Sequence, residues 1–188
     1  MKKYNPTPTP TFLELYKIEP KVCDDLIEYF NDNVEYKSEG TIDDQKIDKT
    51  IKDSMDVNFY NGSRDKRIMK FFEVLNPCIY NYAHKYKISY NLKTSIVNNL
   101  QYYKPKGGFP KLHYETSPQT PLRCVVYMLY LNDVTDGGGT NFPFQNITTH
   151  AVKGDLILWP ADFTHQHRGI ISDTQEKYIC TGWFEYVQ

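Results

Sequence analysis

From about residue 94 onward, the sequence is a series of short apolar segments separated by glycine-rich turns. The candidate strands cover residues 95–103, 122–131, 155–159 and 177–187. Between them lie the glycine runs of Gly107-Gly108 and Gly137-Gly138-Gly139, which are typical of tight turns. Many short strands with turn signals between them predict an antiparallel sandwich or an open barrel.

The first part of the chain is patterned differently. After a predicted strand over residues 12–18, Pro20 can occupy the first turn of a helix with apolar residues at helical spacing. A second helix is predicted from near Ser63, and Pro77 is expected to break or kink it before it resumes. We therefore expect an α+β fold in which the N-terminal helices pack on one face of a strand-rich core.

A chain of 188 residues fits one domain, so we expect a single domain over residues 1–188 with its strand-rich core at about 94–188. Residues 1–10 are polar and proline-rich, which predicts a loose arm. Residues 36–56 are polar and weakly patterned. We interpret them as a long loop that could close over a site.

Composition excludes several functions. The formal net charge of -1 and the lack of any block of like charges give no indication of nucleic-acid binding. No apolar run approaches the roughly 20 residues that span a membrane, so no membrane partner is expected. The four cysteines include no CxxC pair, which disfavours a disulfide framework or a structural zinc site. A reducing, cytoplasmic location is the prediction.

A histidine and a carboxylate separated by one residue, His113 and Glu115, form the most informative pair. If this segment is a strand, both side chains point to one face and can hold adjacent positions on a metal. A second histidine, His165 or His167, would complete a face of two histidines and one carboxylate. Such a face leaves three positions open, which suits iron(II) that must bind a co-substrate and O₂.

The surroundings of this pair resemble the catalytic core of the 2-oxoglutarate and iron(II)-dependent dioxygenases, most closely the prolyl 4-hydroxylase-like branch. The resemblance runs from Leu100 to Phe184. Its motifs, in order, are the Gly107-Gly108 turn, the pair at 113–115, the glycines at 137–139, the segment GDLILWP at 154–160, and His167 with Lys177. It implies a double-stranded β-helix, or jelly roll, with the metal inside its mouth and the N-terminal helices outside.

The metal ligands implied by the resemblance are His113, Glu115 and His167. In the family, the distal histidine lies ten residues before a basic residue, a spacing that His167 and Lys177 share and His165 does not. The family's first pair is H-x-D, whereas this chain has a glutamate. Glutamate occurs at this position in some relatives, and its longer side chain must fold back to keep the carboxylate in place.

The resemblance also implies that Lys177 binds the far carboxylate of 2-oxoglutarate, since an unpaired charge deep in the barrel would be costly. Arg168 and Arg123 are weaker alternatives for this role. The other co-substrate residues implied are Tyr103, Tyr130 and Thr140, and Tyr102 remains an alternative to Tyr103.

The implied activity is hydroxylation of an unactivated C–H bond with Fe(II), 2-oxoglutarate and O₂, and with ascorbate as a possible reductant. The first hypothesis for the substrate is a peptidyl proline or another residue of a peptide or protein. A small molecule or free amino acid is the alternative within the same class. A non-catalytic metal-binding or protein-binding module on the same barrel is the alternative outside it, and the glutamate at 115 is its main support.

Overall fold

The computed structural model describes residues 10–42 and 46–187. Except for residue 10, the predicted N-terminal arm lies outside these residues. The described chain contains two α-helices, α1 Pro20–Asp32 and α2 Lys66–Lys85. It also contains eleven strands: β1 Glu14–Lys17, β2 Ser38–Glu39, β3 Met55–Tyr60, β4 Leu92–Thr94, β5 Val97–Tyr103, β6 Arg123–Tyr130, β7 Thr140–Phe142, β8 Ile147–Thr148, β9 Asp155–Pro160, β10 Arg168–Gly169 and β11 Lys177–Tyr186.

Both helices have identifiable start signals. Helix α1 begins at Pro20, where the missing N–H of proline costs nothing. Helix α2 is capped by Asp65, whose side chain accepts a hydrogen bond of 2.8 Å from the backbone N–H of Arg67. The predicted break at Pro77 was wrong, because α2 continues through it. Burial of the apolar face of α2 offsets the hydrogen bond that the proline removes.

The strands form two antiparallel sheets. The larger has eight strands in the order β1-β9-β6-β11-β5-β3-β2, with β4 also paired to β11. The smaller has the order β10-β7-β8. The predicted α+β arrangement is confirmed, since both helices contribute buried apolar residues to a core that they share with the larger sheet.

Alternation along the central strands divides the buried residues between two clusters. In β6, Tyr127 and Leu129 belong to the cluster shared with the helices, whereas Met128 and Tyr130 belong to a second cluster on the opposite face. This period of two is what an antiparallel strand buried on both faces produces. The second cluster lines the interior in which the candidate site lies.

The segment 36–56 is not the continuous loop that its polarity predicted. Strand β2 pairs with β3, and β3 inserts beside β5 in the larger sheet. Residues Met55 to Phe59 do alternate between apolar and polar, but this short pattern follows a long polar segment, and the strands that pair with β3 are distant in the chain. Residues 43–45 lie outside the described residues. The backbone N–H of Asp53 donates a hydrogen bond of 2.9 Å to the carbonyl of Gly108, so the segment contacts the turn before His113.

Among the described residues, no helix is both long enough and apolar enough to cross a membrane.

Candidate metal centre and co-substrate pocket

The segment that carries His113 and Glu115 is not a strand, and Glu115 lies at a bend, contrary to the condition on which their shared face was argued. His113 forms an isolated bridge with His167, in which each backbone N–H donates to the other's carbonyl at 3.0 and 2.8 Å. The N–H of Glu115 donates to the carbonyl of Ala161 at 3.0 Å. Three backbone hydrogen bonds therefore fix the segment against the chain between β9 and β10.

This pairing brings His113, Glu115 and His167 together. Atom Oε1 of Glu115 lies 3.6 Å from Nε2 of His113 and 3.5 Å from Nε2 of His167. One ligand atom from each residue lies within 4.8 Å of the other two. Two imidazole nitrogens and one carboxylate oxygen at these distances fit three positions of an iron(II) ion, which takes further ligands at its other positions.

The far nitrogen of each ring is held by a backbone carbonyl. Nδ1 of His113 lies 2.8 Å from the carbonyl oxygen of Lys111, and Nδ1 of His167 lies 3.0 Å from that of His165. A carbonyl can only accept, so Nδ1 of each ring carries the proton that it donates, and Nε2 is the nitrogen that faces the centre.

Aromatic rings fix the imidazole planes. Phe109, two residues after the Gly107-Gly108 turn begins, stacks on His113 with 4.0 Å between ring centroids and 14° between planes. Beside the second histidine, the ring centroids of Phe142 and Trp159 lie 5.5 and 5.0 Å from that of His167. These contacts limit ring rotation and shield this side of the centre from water.

His165, the alternative distal histidine, is placed differently. It ends a short 3₁₀-helix, Phe163–His165, and does not lie on a strand. Its Nε2 lies 2.8 Å from the carbonyl of Thr11, and its Nδ1 lies 3.0 Å from Oγ1 of Thr164. Burial lowers the pKa of His165. Both ring nitrogens thus have partners away from the centre.

The surroundings of Glu115 favour its charged form. Burial alone would raise the pKa of the carboxyl, but the hydrogen bonds and charges of His113 and His167 outweigh it and hold the pKa well below its usual range. A second pair of groups, Trp183 and Arg123, contacts the other oxygen, Oε2, at 3.1 and 3.5 Å.

Sequence reasoning missed these two contacts. Arg123 was expected only as an alternative anion partner, and no functional role was predicted for Trp183. Their roles depend on the pairing of β11 with β6. In this pairing Glu185 is opposite Arg123, and Trp183, two residues before Glu185, is the diagonal neighbour of Arg123. Nothing in the local sequence announces this relationship.

Lys177 lies at the start of β11 with only 6% of its surface exposed. Its Nζ donates a hydrogen bond of 3.1 Å to the carbonyl of Gly138 and lies 4.8 Å from the ring centroid of Tyr103. Burial lowers the pKa of Lys177 to about 8. Within the described part of the chain no carboxylate pairs with this ammonium, so an anionic ligand would supply the partner it lacks.

Tyr103 and Tyr102 face opposite sides of β5. Tyr103 lies in the interior cluster with Lys177, and its OH donates to Oε1 of Gln101 at 2.6 Å. Its pKa is raised well above the usual range by burial first, and then by the charges of Asp56 and Glu115. Tyr102 instead packs against Phe30 and Tyr178 on the helix side.

The remaining predicted pocket residues are joined to each other. The OH of Tyr130 lies 2.9 Å from Oγ1 of Thr140 and 2.8 Å from Oγ1 of Thr149. Burial raises the pKa of Tyr130 to about 12, so it stays a neutral hydroxyl. Arg168 is exposed and donates to Oδ1 of Asn141 at 3.2 Å, whereas Lys177 is buried.

Comparison with known proteins agrees with this geometry. Residues 98–185 match the family model described as the 2OG-Fe(II) oxygenase superfamily. The human prolyl 4-hydroxylase subunit alpha-3 is 28% identical over 99 residues, which cover 44% of this chain and 18% of the human protein. The chain therefore spans less than a fifth of that relative's length.

Solved structures share the fold over nearly the whole chain. The viral collagen prolyl hydroxylase of Paramecium bursaria Chlorella virus-1, in its 2OG complex, has a TM-score of 0.72 at 19% identity and covers 94% of this chain and 97% of its own. A Trichoplax adhaerens prolyl hydroxylase in complex with a hypoxia inducible factor peptide fragment has a TM-score of 0.76 at 14% identity, covering 93% and 83%.

The predicted jelly-roll fold is confirmed by these neighbours. Sequence match, fold and the clustered His-Glu-His residues agree with one another. Residues 98–185 of this chain therefore match the 2OG-Fe(II) oxygenase superfamily, and the chain is similar in sequence to a prolyl 4-hydroxylase subunit.

Proposed function

We propose that this chain is an Fe(II)- and 2-oxoglutarate-dependent dioxygenase that hydroxylates an unactivated C–H bond of a peptide, with a peptidyl proline as the first substrate to test. One observation carries the proposal. A cluster of two histidines and one carboxylate opens onto the same interior as a buried lysine that no carboxylate of the described residues neutralises.

In this proposal, His113, Glu115 and His167 hold the iron and take no part as acid or base. When bound, iron(II) and 2-oxoglutarate supply the oxidising chemistry, in which O₂, 2-oxoglutarate and the substrate C–H give succinate, CO₂ and the hydroxylated product. The protein binds these reactants, orients them and keeps water out.

Lys177 would bind the carboxylate of 2-oxoglutarate that is far from the iron. Among the described residues, Gly138 is the one hydrogen-bond acceptor of its ammonium, so donors remain for an anion. Tyr103, next to Lys177, and the Tyr130–Thr140 pair would complete the polar wall. A charge-assisted hydrogen bond in a dry pocket is strong enough to select a dianion.

The peptide substrate is supported by the relatives. The human relative is a prolyl 4-hydroxylase subunit, the viral structure is a collagen prolyl hydroxylase, and the Trichoplax structure holds a peptide fragment. The backbone contact of Asp53 with Gly108 holds the loop before β3 against the turn that precedes His113, and we propose that this loop closes over an extended chain. That closure remains a prediction.

The test measures succinate from purified protein supplied with Fe(II), ascorbate and 2-oxoglutarate, with and without proline-containing peptides. We expect slow release alone and faster release with a peptide that gains one oxygen atom by mass spectrometry. Lys177→Ala should abolish 2-oxoglutarate binding, whereas Lys93→Ala, an exposed lysine on β4 beside β11, should not.

Other outcomes would redirect the proposal. Faster turnover with free proline than with peptides would indicate a small-molecule hydroxylase. Iron binding without 2-oxoglutarate binding or succinate would indicate a non-catalytic module, which the glutamate at position 115 makes worth testing.

We also propose that residues 1–188 fold as one domain in a reducing compartment. Strand β1 pairs with β9 across most of the sequence, which supports a single cooperative unit. All four cysteines are free, and three are buried, which supports the cytoplasm as the compartment. A single unfolding transition that does not change with added reductant would agree with both parts.

A further inference from the structure

The two carboxylate oxygens of Glu115 lie in different surroundings. Oε1 is the atom nearest the two histidines, at 3.6 and 3.5 Å from their Nε2 atoms. Oε2 accepts a hydrogen bond of 3.1 Å from the indole N–H of Trp183 and lies 3.5 Å from Nη1 of Arg123. One oxygen thus faces the candidate metal position, and the other is occupied by protein donors.

Trp183 and Arg123 also hold each other. The guanidinium of Arg123 lies over the Trp183 ring, 3.5 Å from its centroid, a cation–π arrangement. The same guanidinium donates to the backbone carbonyl of Glu115 at 3.2 Å. The carboxylate and the backbone of Glu115 are therefore fixed by one unit that spans strands β6 and β11.

A glutamate needs such a support more than an aspartate does. Its additional methylene adds a rotatable bond. Unless that bond is already fixed in the metal-free protein, the side chain loses conformational entropy when it binds the metal, which lowers the affinity. A carboxylate with both oxygens free can also bind a metal through both of them, which would use a position that the co-substrate needs.

We infer that Trp183 and Arg123 are positioning residues that fit the longer glutamate ligand to the metal: they hold Oε2 and leave Oε1 to bind. The inference rests on the proposed function of the triad. It has a direct consequence for Glu115→Asp. Although aspartate is the usual family ligand, here it would withdraw the carboxylate from Trp183, so this substitution should weaken metal binding.

The experiment titrates the metal-free protein with Co(II) in the absence of 2-oxoglutarate and follows the visible absorption of the bound ion. Trp183→Phe removes the donor and keeps a ring. We expect it to lower Co(II) affinity about tenfold, within the range found when a group that orients a metal ligand is lost. The spectrum at saturation should also change, because the carboxylate can bind differently.

The matched control is Tyr178→Phe, which removes a polar group from the same strand on the helix side. It should leave both affinity and spectrum unchanged. Glu115→Asp should lower Co(II) affinity by a similar factor to Trp183→Phe. The double variant should bind Co(II) as tightly as the single variant with the lower affinity, because the two changes remove one shared interaction. If Trp183→Phe fails to fold, Arg123→Lys gives the same test, since lysine lacks the planar fork.

Two failures are distinguishable. If the unmodified protein binds no Co(II), the triad is not a metal site and both proposals fall. If it binds Co(II) and Trp183→Phe binds it equally well with an unchanged spectrum, or if the single effects simply add, then the positioning inference is overturned while the proposed function stands.

Discussion

Lys177 and Tyr103 are register partners across strands β11 and β5, and the lysine ammonium lies 4.8 Å from the centroid of the tyrosine ring. The residues are 74 positions apart in the chain, and each is almost fully buried. Sheet pairing thus places a cation, a ring face and a hydroxyl together in the interior. Without an anion, burial of the ammonium destabilises the folded protein and lowers the pKa of Lys177, and both effects can be measured.

The first prediction concerns the pH dependence of 2-oxoglutarate binding. Burial lowers the pKa of Lys177 to about 8 in the free protein, and a bound dianion would raise it. Binding therefore takes up a proton at pH values above about 8, so the affinity should fall as the pH rises, by up to about tenfold per pH unit. Calorimetry at pH 7 to 9.5 measures this, and an affinity that is constant over the range would contradict the assignment.

The second prediction concerns the stability cost of the same lysine. A lysine whose folded-state pKa is lowered destabilises the protein fully below about pH 8, and this cost disappears as the pH rises towards the unfolded-state pKa. Lys177→Met should therefore increase the free energy of unfolding at pH 7 by about 1–3 kcal/mol. The gain should shrink at pH 10. Denaturant unfolding at both pH values measures it, and a loss of stability at pH 7 would show that the ammonium has a stabilising partner.

The third prediction distinguishes the two neighbouring histidines. His167→Ala should reduce Fe(II) or Co(II) affinity by more than 100-fold, since it removes one of three ligand atoms. His165→Ala should change metal affinity little, because both of its ring nitrogens are directed at Thr11 and Thr164. Equal losses in the two variants would reject this choice of distal ligand.

The fourth prediction concerns helix α2, which packs outside the sheet. Asp65→Ala removes the N-cap and an ion pair with Arg67, and should lower the free energy of unfolding by about 1–2 kcal/mol. Asp65→Asn, which keeps a capping oxygen, should lose less. Metal affinity should be the same in both variants, because the helix does not contribute to the centre; a parallel loss of metal binding would show that it does.

Most elements could be predicted from local pattern. Short apolar segments and the glycine turns between them located β5, β6, β9 and β11 to within a few residues. Strand β3 was missed although Met55, Val57 and Phe59 alternate with polar residues, because the strand begins at the end of a long polar segment and its partners are distant in the chain. Helix α2 was predicted to be interrupted, since the local cost of Pro77 is visible in the sequence but the packing that offsets it is not.

The sequence by itself determined the chemical types at the centre: two histidines and a carboxylate for a metal, and a lysine ten residues after the distal histidine for an anion. Residue identity and spacing carry that information directly. Only the tertiary structure decided which atoms face each other. Pairing of residues 113 and 167 directs the two Nε2 atoms to Oε1 of Glu115, and the pairing of β11 with β6 brings Trp183 and Arg123 to Oε2. Such contacts depend on the register between strands that are distant in the chain, so no local pattern can encode them.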